Sequence, residues 1–149
     1  MGQGGVKHMN IPIVDASNYF KGLLVLIKQD RKVSDSEVAL MKRIGKALGF
    51  EKEFCEQAIA GILENEHVRD QPPKFSTREL ATKFVQDGFV LAFSDKEMHP
   101  SEVEWLRLTA ELNGLDMQWF AREQGKATTE TTSTSHLQVE AFTVGELRK

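Results

Sequence analysis

The chain of 149 residues has the length of one domain, and 40% hydrophobic with 28% charged residues is the composition of an ordinary globular fold, which argues against wholesale disorder. The longest apolar runs, 22–27 and 88–93, fall far short of the roughly 18 residues a membrane span needs, so direct membrane insertion is not expected and the cytoplasm is the default location. A single cysteine, Cys55, rules out an internal disulfide. The four histidines show neither Cys-x-x-Cys nor His-x-x-x-His spacing and put no tetrahedral zinc site in view. A net charge of −3 offers nucleic acid no general attraction, although residues 1–50 carry 8 basic against 4 acidic side chains and residues 51–149 carry 11 against 18.

Residues 1–14 hold glycines, a proline and no sustained period, and read as a disordered or leader segment. From Asp15 the pattern changes. Tyr19, Phe20, Leu23, Leu24 and Ile27 recur at helical spacing, with Val25 and Leu26 making the helix apolar almost all round, as a central buried helix requires. Ser34-Asp35-Ser36-Glu37 is a capping box in front of Val38, Leu40, Met41, Ile44 and Leu48, and Gly49 ends that second helix. A third is expected from Glu51 to about Glu66, with Cys55 on its apolar stripe as a core residue.

Gln71-Pro72-Pro73 breaks the chain, and Ser76-Thr77-Arg78-Glu79 reads as a second capping box opening a fourth helix that runs to about Phe93. Pro100 starts a fifth helix, which Gly114 ends. Asp116 caps a sixth holding Met117, Trp119 and Phe120. From residue 126 the Thr-rich composition is that of a linker, followed by a tail in which Leu137, Val139 and Ala141 alternate as in a strand while Phe142 and Leu147 break the period. Such a tail docks on its own domain or on a neighbour.

Self-comparison at an offset of 65 aligns residues 24–51 with 89–116. It pairs Val25, Leu26, Asp30, Ser36, Glu37, Val38 and Gly49 with Val90, Leu91, Asp95, Ser101, Glu102, Val103 and Gly114. The shared plan is a buried helix, an Asp at its end, a loop, a Glu in the first turn of the next helix and a closing Gly. Two such hairpins, each followed by a further helix, predict an all-α bundle of six to seven helices over residues 15–125.

This arrangement resembles the tellurite-resistance TerB-like family, whose relatives include the N-terminal region of the membrane-anchored DjlA co-chaperone. Family hairpins twice carry an Asp-Gly-x-x-x-x-x-Glu pattern; here the copies run from Asp30 to Glu37 and from Asp95 to Glu102, with Arg31 and Lys96 in place of the glycine. A cation beside each carboxylate lowers the negative potential there. The resemblance implies a non-catalytic module of stress or envelope-associated assemblies, with an acidic surface for a divalent cation built from Asp30, Glu37, Asp95 and Glu102.

Four carboxylates at one end of a bundle would suit a hard cation, calcium or magnesium, with Glu97 and His99 as possible further ligands. All but Glu97 have a structural alternative: helix caps for Glu37, Glu102 and His99, Asx turns for Asp30 and Asp95. Neither loop is an EF-hand, since Met41 and Leu106 stand where that motif needs a bidentate Glu. No Gly-x-Ser-x-Gly, Walker loop, His-Glu-x-x-His or Gly-x-Gly-x-x-Gly nominates catalytic machinery, so the chain is not expected to be an enzyme, a carboxylate-based site being the least favoured reading. The other alternative is a metal-independent adaptor for protein partners, or a homodimer, using an exposed aromatic patch formed by Trp105, Trp119 and Phe120.

Overall fold

A computed structural model describes residues 9–29, 33–64, 71–94, 99–129 and 137–144. Six helices account for most of them: α1 (Ile13–Lys28), α2 (Asp35–Ala47), α3 (Lys52–Glu64), α4 (Arg78–Ala92), α5 (Pro100–Leu112) and α6 (Met117–Thr129). Two short strands, β1 (Met9–Ile11) and β2 (Phe142–Val144), pair in parallel with Met9 opposite Phe142 and Ile11 opposite Val144. Among the described residues no helix is long and apolar enough to cross a membrane.

The two helices richest in apolar residues form the centre. α1 packs on α2, α3, α4 and α5, while α4 packs on α1, α2, α5 and α6. α1 buries Tyr19, Phe20, Leu23, Leu24, Leu26 and Ile27, positions that cover more than one face of the cylinder, and α4 does the same with Leu80, Phe84, Val85, Phe89 and Leu91. Between them Tyr19 stands edge-on to Phe84 at 5.2 Å and to Phe142 at 5.3 Å, the geometry in which a ring's positive rim meets another's negative face. A satellite cluster joins Phe20 to Phe50 and Phe54. Cys55 lies in the core, as its stripe position predicts, and burial pushes its thiol pKa up, with Glu56 adding to the shift.

Helix ends follow local chemistry. Gly49 and Gly114 take left-handed φ values of 86° and 75°, where a side chain would be strained. Beyond them the Phe50 and Leu115 amides donate back to the Gly45 and Ala110 carbonyls. The segment 71–77 is held from two sides. The Asn113 side chain accepts from the Phe75 amide and donates to the Pro73 carbonyl, while Asp15 accepts from the Ser76 amide and hydroxyl.

Four boundaries differ from the sequence reading. Residues 9–14, set aside with the leader, belong to the fold, because β1 finds its partner at the far end of the chain and α1 starts at Ile13 rather than Asp15. Thr77, not Ser76, caps α4 by accepting from the Leu80 amide, since Ser76 is engaged by Asp15. Residues 126–129, assigned to the linker, continue α6. The tail docks on its own domain: Leu137, Val139 and Phe142 are buried, the first two flanking the start of a 3-10 turn (Gln138–Ala141) that replaces the alternation expected of a strand.

Packing at the α1–α4 crossing is tight enough to test. A Cβ on Gly22 would stand 2.9 Å from the Phe84 ring and from Pro73 Cγ, two rigid groups with little room to yield. We expect Gly22→Ala to lower stability by about 1–2 kcal/mol, the overpacking cost exceeding the gain in helix propensity of about 1 kcal/mol. Urea unfolding measures it, and a rise in the midpoint would mean that the crossing is looser than described.

Candidate functional site

The sequence places its candidate ligands at two helix starts, where a Glu in the first turn reaches back to the capping residue. At α2 the reciprocal pair is complete. The Ser34 hydroxyl accepts from the Glu37 amide at 3.1 Å and Glu37 Oε1 accepts from the Ser34 amide at 2.9 Å. At α5 the His99 amide donates to Glu102 Oε1 at 3.3 Å, with Pro100 in the first helical turn. Both carboxylates are turned inward, each about 1% exposed. The Ser101 hydroxyl donates to the Gln29 carbonyl at 3.3 Å, bringing the last turn of α1 against the first turn of α5.

Asp30, Asp95 and Glu97 lie outside the described residues. Of the proposed cation ligands the structure therefore positions Glu37, Glu102 and His99, and all three sit in capping positions. Among the described residues no three His, Cys, Asp or Glu side chains are grouped so as to hold a metal ion.

The aromatic patch needs correction. Trp105 and Phe120 are 3% and 4% exposed, because Trp105 falls on the core stripe of α5 against Phe84 and Phe120 packs on Phe89 at 5.2 Å. Trp119 is half-buried against the same core. The Trp105 indole N–H and the Ser94 hydroxyl are buried without a hydrogen-bond partner among the described residues. The apolar side chains that do reach solvent nearby are Leu108 and Leu112, one turn apart on α5, and Met117 at the start of α6.

One polar centre escaped the sequence reading. Asp87 of α4 is fully buried and accepts three hydrogen bonds: from the Tyr19 hydroxyl of α1 at 2.7 Å, and from the backbone amides of Gln138 and Val139 at 2.7 and 3.0 Å. Desolvation, with a smaller contribution from the Glu140 carboxylate, pushes its pKa up to about 7 against the lowering effect of these three donors. The Tyr19 hydroxyl is held well above its ordinary range, by burial first and then by Asp87. Around this centre the Arg43 guanidinium clasps Glu140 through two bonds of 2.6 and 2.8 Å, and the Lys83 ammonium donates to the Gln138 side chain at 3.2 Å. The legible signal was a carboxylate on an apolar stripe: Asp87 follows Phe84 by three residues and precedes Leu91 by four.

Compared with family models, curated proteins and solved structures, the chain finds no significant match.

The Asp87 shift fixes the sign of a pH dependence. A carboxyl raised from 3.8 to about 7 holds its proton in the folded state over a window where the unfolded chain has lost it. Its contribution to stability is whole below that window and lost as pH rises through 7. We expect urea stability to decline from pH 5 to pH 7.5, and the Asp87→Asn variant to lack that slope whatever its absolute stability. Parallel slopes in the two proteins would show that another group titrates.

Proposed function

We propose that the chain is a non-catalytic helical module of the TerB-like kind, which takes calcium or magnesium at one end of its bundle and couples occupancy to contact with a protein partner. The helix boundaries support the repeat on which this reading rests. Ile13 and Arg78, Asp35 and Pro100, Lys52 and Met117 open successive helices, each pair 65 residues apart, the offset found in the sequence. α2 and α5 also share a buried reach-back Glu at the start and a left-handed glycine after the end.

The observation that carries the cation reading is the Ser101 hydrogen bond to Gln29. Gln29 directly precedes Asp30 in the sequence and Ser101 belongs to the helix that follows Asp95, so the bond joins described residues that neighbour the two acidic segments in sequence. Carboxylate, carbonyl and water oxygens in such a place suit a hard divalent cation. Glu37 and Glu102 act in this reading as rigid supports for the two loops, each committing one oxygen to its cap.

The test is a thermal melt of chelator-stripped protein with Ca²⁺, Mg²⁺, Mn²⁺ and Zn²⁺ titrated in turn. An ion that binds only the folded chain stabilises it by about 2.7 kcal/mol at a hundredfold excess over Kd. We expect a saturable rise with Ca²⁺ or Mg²⁺ that disappears in the Asp30→Asn, Asp95→Asn double variant. No rise with any ion at millimolar concentration would reject the cation reading.

A second reading, a metal-independent adaptor, draws on the exposure of Leu108, Leu112 and Met117, at 40%, 46% and 36%. If that strip is a protein-contact surface, Leu108→Ser with Leu112→Ser abolishes concentration-dependent self-association, read as mass by light scattering. A wild-type mass that stays monomeric at high concentration rejects the homodimer form of this reading.

A further inference from the structure

The C-terminal segment 137–144 is held by few groups, and they are chemically distinctive. Leu137, Val139 and Phe142 enter the core, β2 adds three residues of pairing with β1, and the two amides at the start of the 3-10 turn end on one buried carboxylate. A two-stranded parallel pair of this length contributes little by itself. The Arg43–Glu140 pair is partly exposed, with side chains 35% and 40% accessible, and solvent weakens it. Among the described residues, Asp87 is therefore the anchor of the segment that combines full burial with an ionisable group.

We propose that residues 137–144 form a strap whose attachment to α2 and α4 is gated by the protonation state of Asp87. When the strap is down, Asp87 has no contact with solvent, and its carboxyl faces the Tyr19 hydroxyl from α1, with the Arg43–Glu140 pair spanning α2 and the strap and Lys83 one turn away on α4. When the strap lifts, water replaces the Gln138 and Val139 amides and the carboxylate regains its hydration. Docking thus takes up a proton at the pH values where a hydrated carboxylate is ionised and the buried one is not. The buried carboxyl titrates near 7, so the strap is held more firmly in mild acid and loosens as pH rises to neutrality. Coupling to a single proton bounds the change at about tenfold in the opening equilibrium per pH unit across that window, with no further change above it.

The partly exposed ion pair modulates the gate. Glu140 disfavours a charge on Asp87, and Arg43 takes up much of that field by pairing with it. Phe142 stands against Tyr19 and Val139 is buried in the same core, so lifting the strap uncovers Tyr19 and the gated event is exposure of apolar surface.

Amide hydrogen exchange on the full chain between pH 5 and pH 8, corrected for intrinsic rates, reads the gate. We expect the opening constants of Gln138 and Val139 to rise with pH up to about 7 and then level off, and at every pH to exceed those of amides in the middle of α2 and α5, which open only by global unfolding. In Asp87→Asn the same two amides should show no pH dependence. Constants that are flat from pH 5 to pH 8 in the wild type, or a variant that keeps the wild-type profile, would overturn the proposal. So would equal opening constants at every amide, which mark global unfolding rather than release of the strap. If Asp87→Asn does not fold, the ¹³C shift of the Asp87 carboxyl decides: its titration midpoint must coincide with the break in the exchange profile, and a midpoint in the ordinary carboxylate range refutes the gate.

Discussion

The close crossing of α1 and α4 is the constraint on which the remaining elements depend. Gly22 lies beneath the Phe84 ring, where the missing Cβ is the space a neighbour fills, and Gly88 gives the same room to Leu106 of α5, with Leu26 of α1 alongside. With the two axes this near, Tyr19 reaches both the edge of Phe84 and the Asp87 carboxylate across the interface. The outer helices then pack on a rod pair already apolar on several sides. A wider crossing would leave Tyr19 short of its acceptor and Phe84 without the ring on which it rests.

The two polar systems of the protein answer to opposite physics. At the starts of α2 and α5, Glu37 and Glu102 satisfy amides that a helix leaves without partners, and the positive end of the helix favours their charge. At Asp87 the carboxylate sits in mid-helix with no such help, and it draws its donors from a tyrosine and from a chain segment distant in sequence. Under the proposed repeat Asp87 occupies the position in α4 that Gly22 occupies in α1, 65 residues earlier. The same place in the plan thus serves close packing in one half and attachment of the C-terminal segment in the other.

Much of the bundle was legible because its signals are local. The capping box at Ser34, the glycine stops at 49 and 114, Pro100 and the apolar periodicity of α1 all act within one or two turns, and each marks an element the structure contains. What local reasoning missed depends on distance along the chain. Three residues at Met9–Ile11 carry no strand signature of their own, and only the pairing with Phe142–Val144 makes them one. Ser76 and Thr77 both offer a hydroxyl to α4; the choice falls to Thr77 because Asp15, far back in the sequence, takes the other. Trp105 and Phe120 read as surface anchors by residue type, whereas their helical phase sends them inward. For the acidic quartet the sequence showed the spacing of the four carboxylates and their competing structural roles, and the structure places Glu37 and Glu102 in caps.

The parallel pairing of β1 with β2 also bears on the order in which the molecule is completed during synthesis. Helices α1 to α6 are all made before residue 137 emerges, and at translation rates of about 5–20 residues per second Asp87 is made seconds before Gln138 and Val139. Throughout that interval Asp87 lacks its two amide donors, Met9–Ile11 lacks its partner strand and Tyr19 lacks the Phe142 ring. The contacts that span the greatest sequence distance are the last to become available, and closing them dries the interior. Residues 137–144 thus supply the last of the long-range contacts of this core.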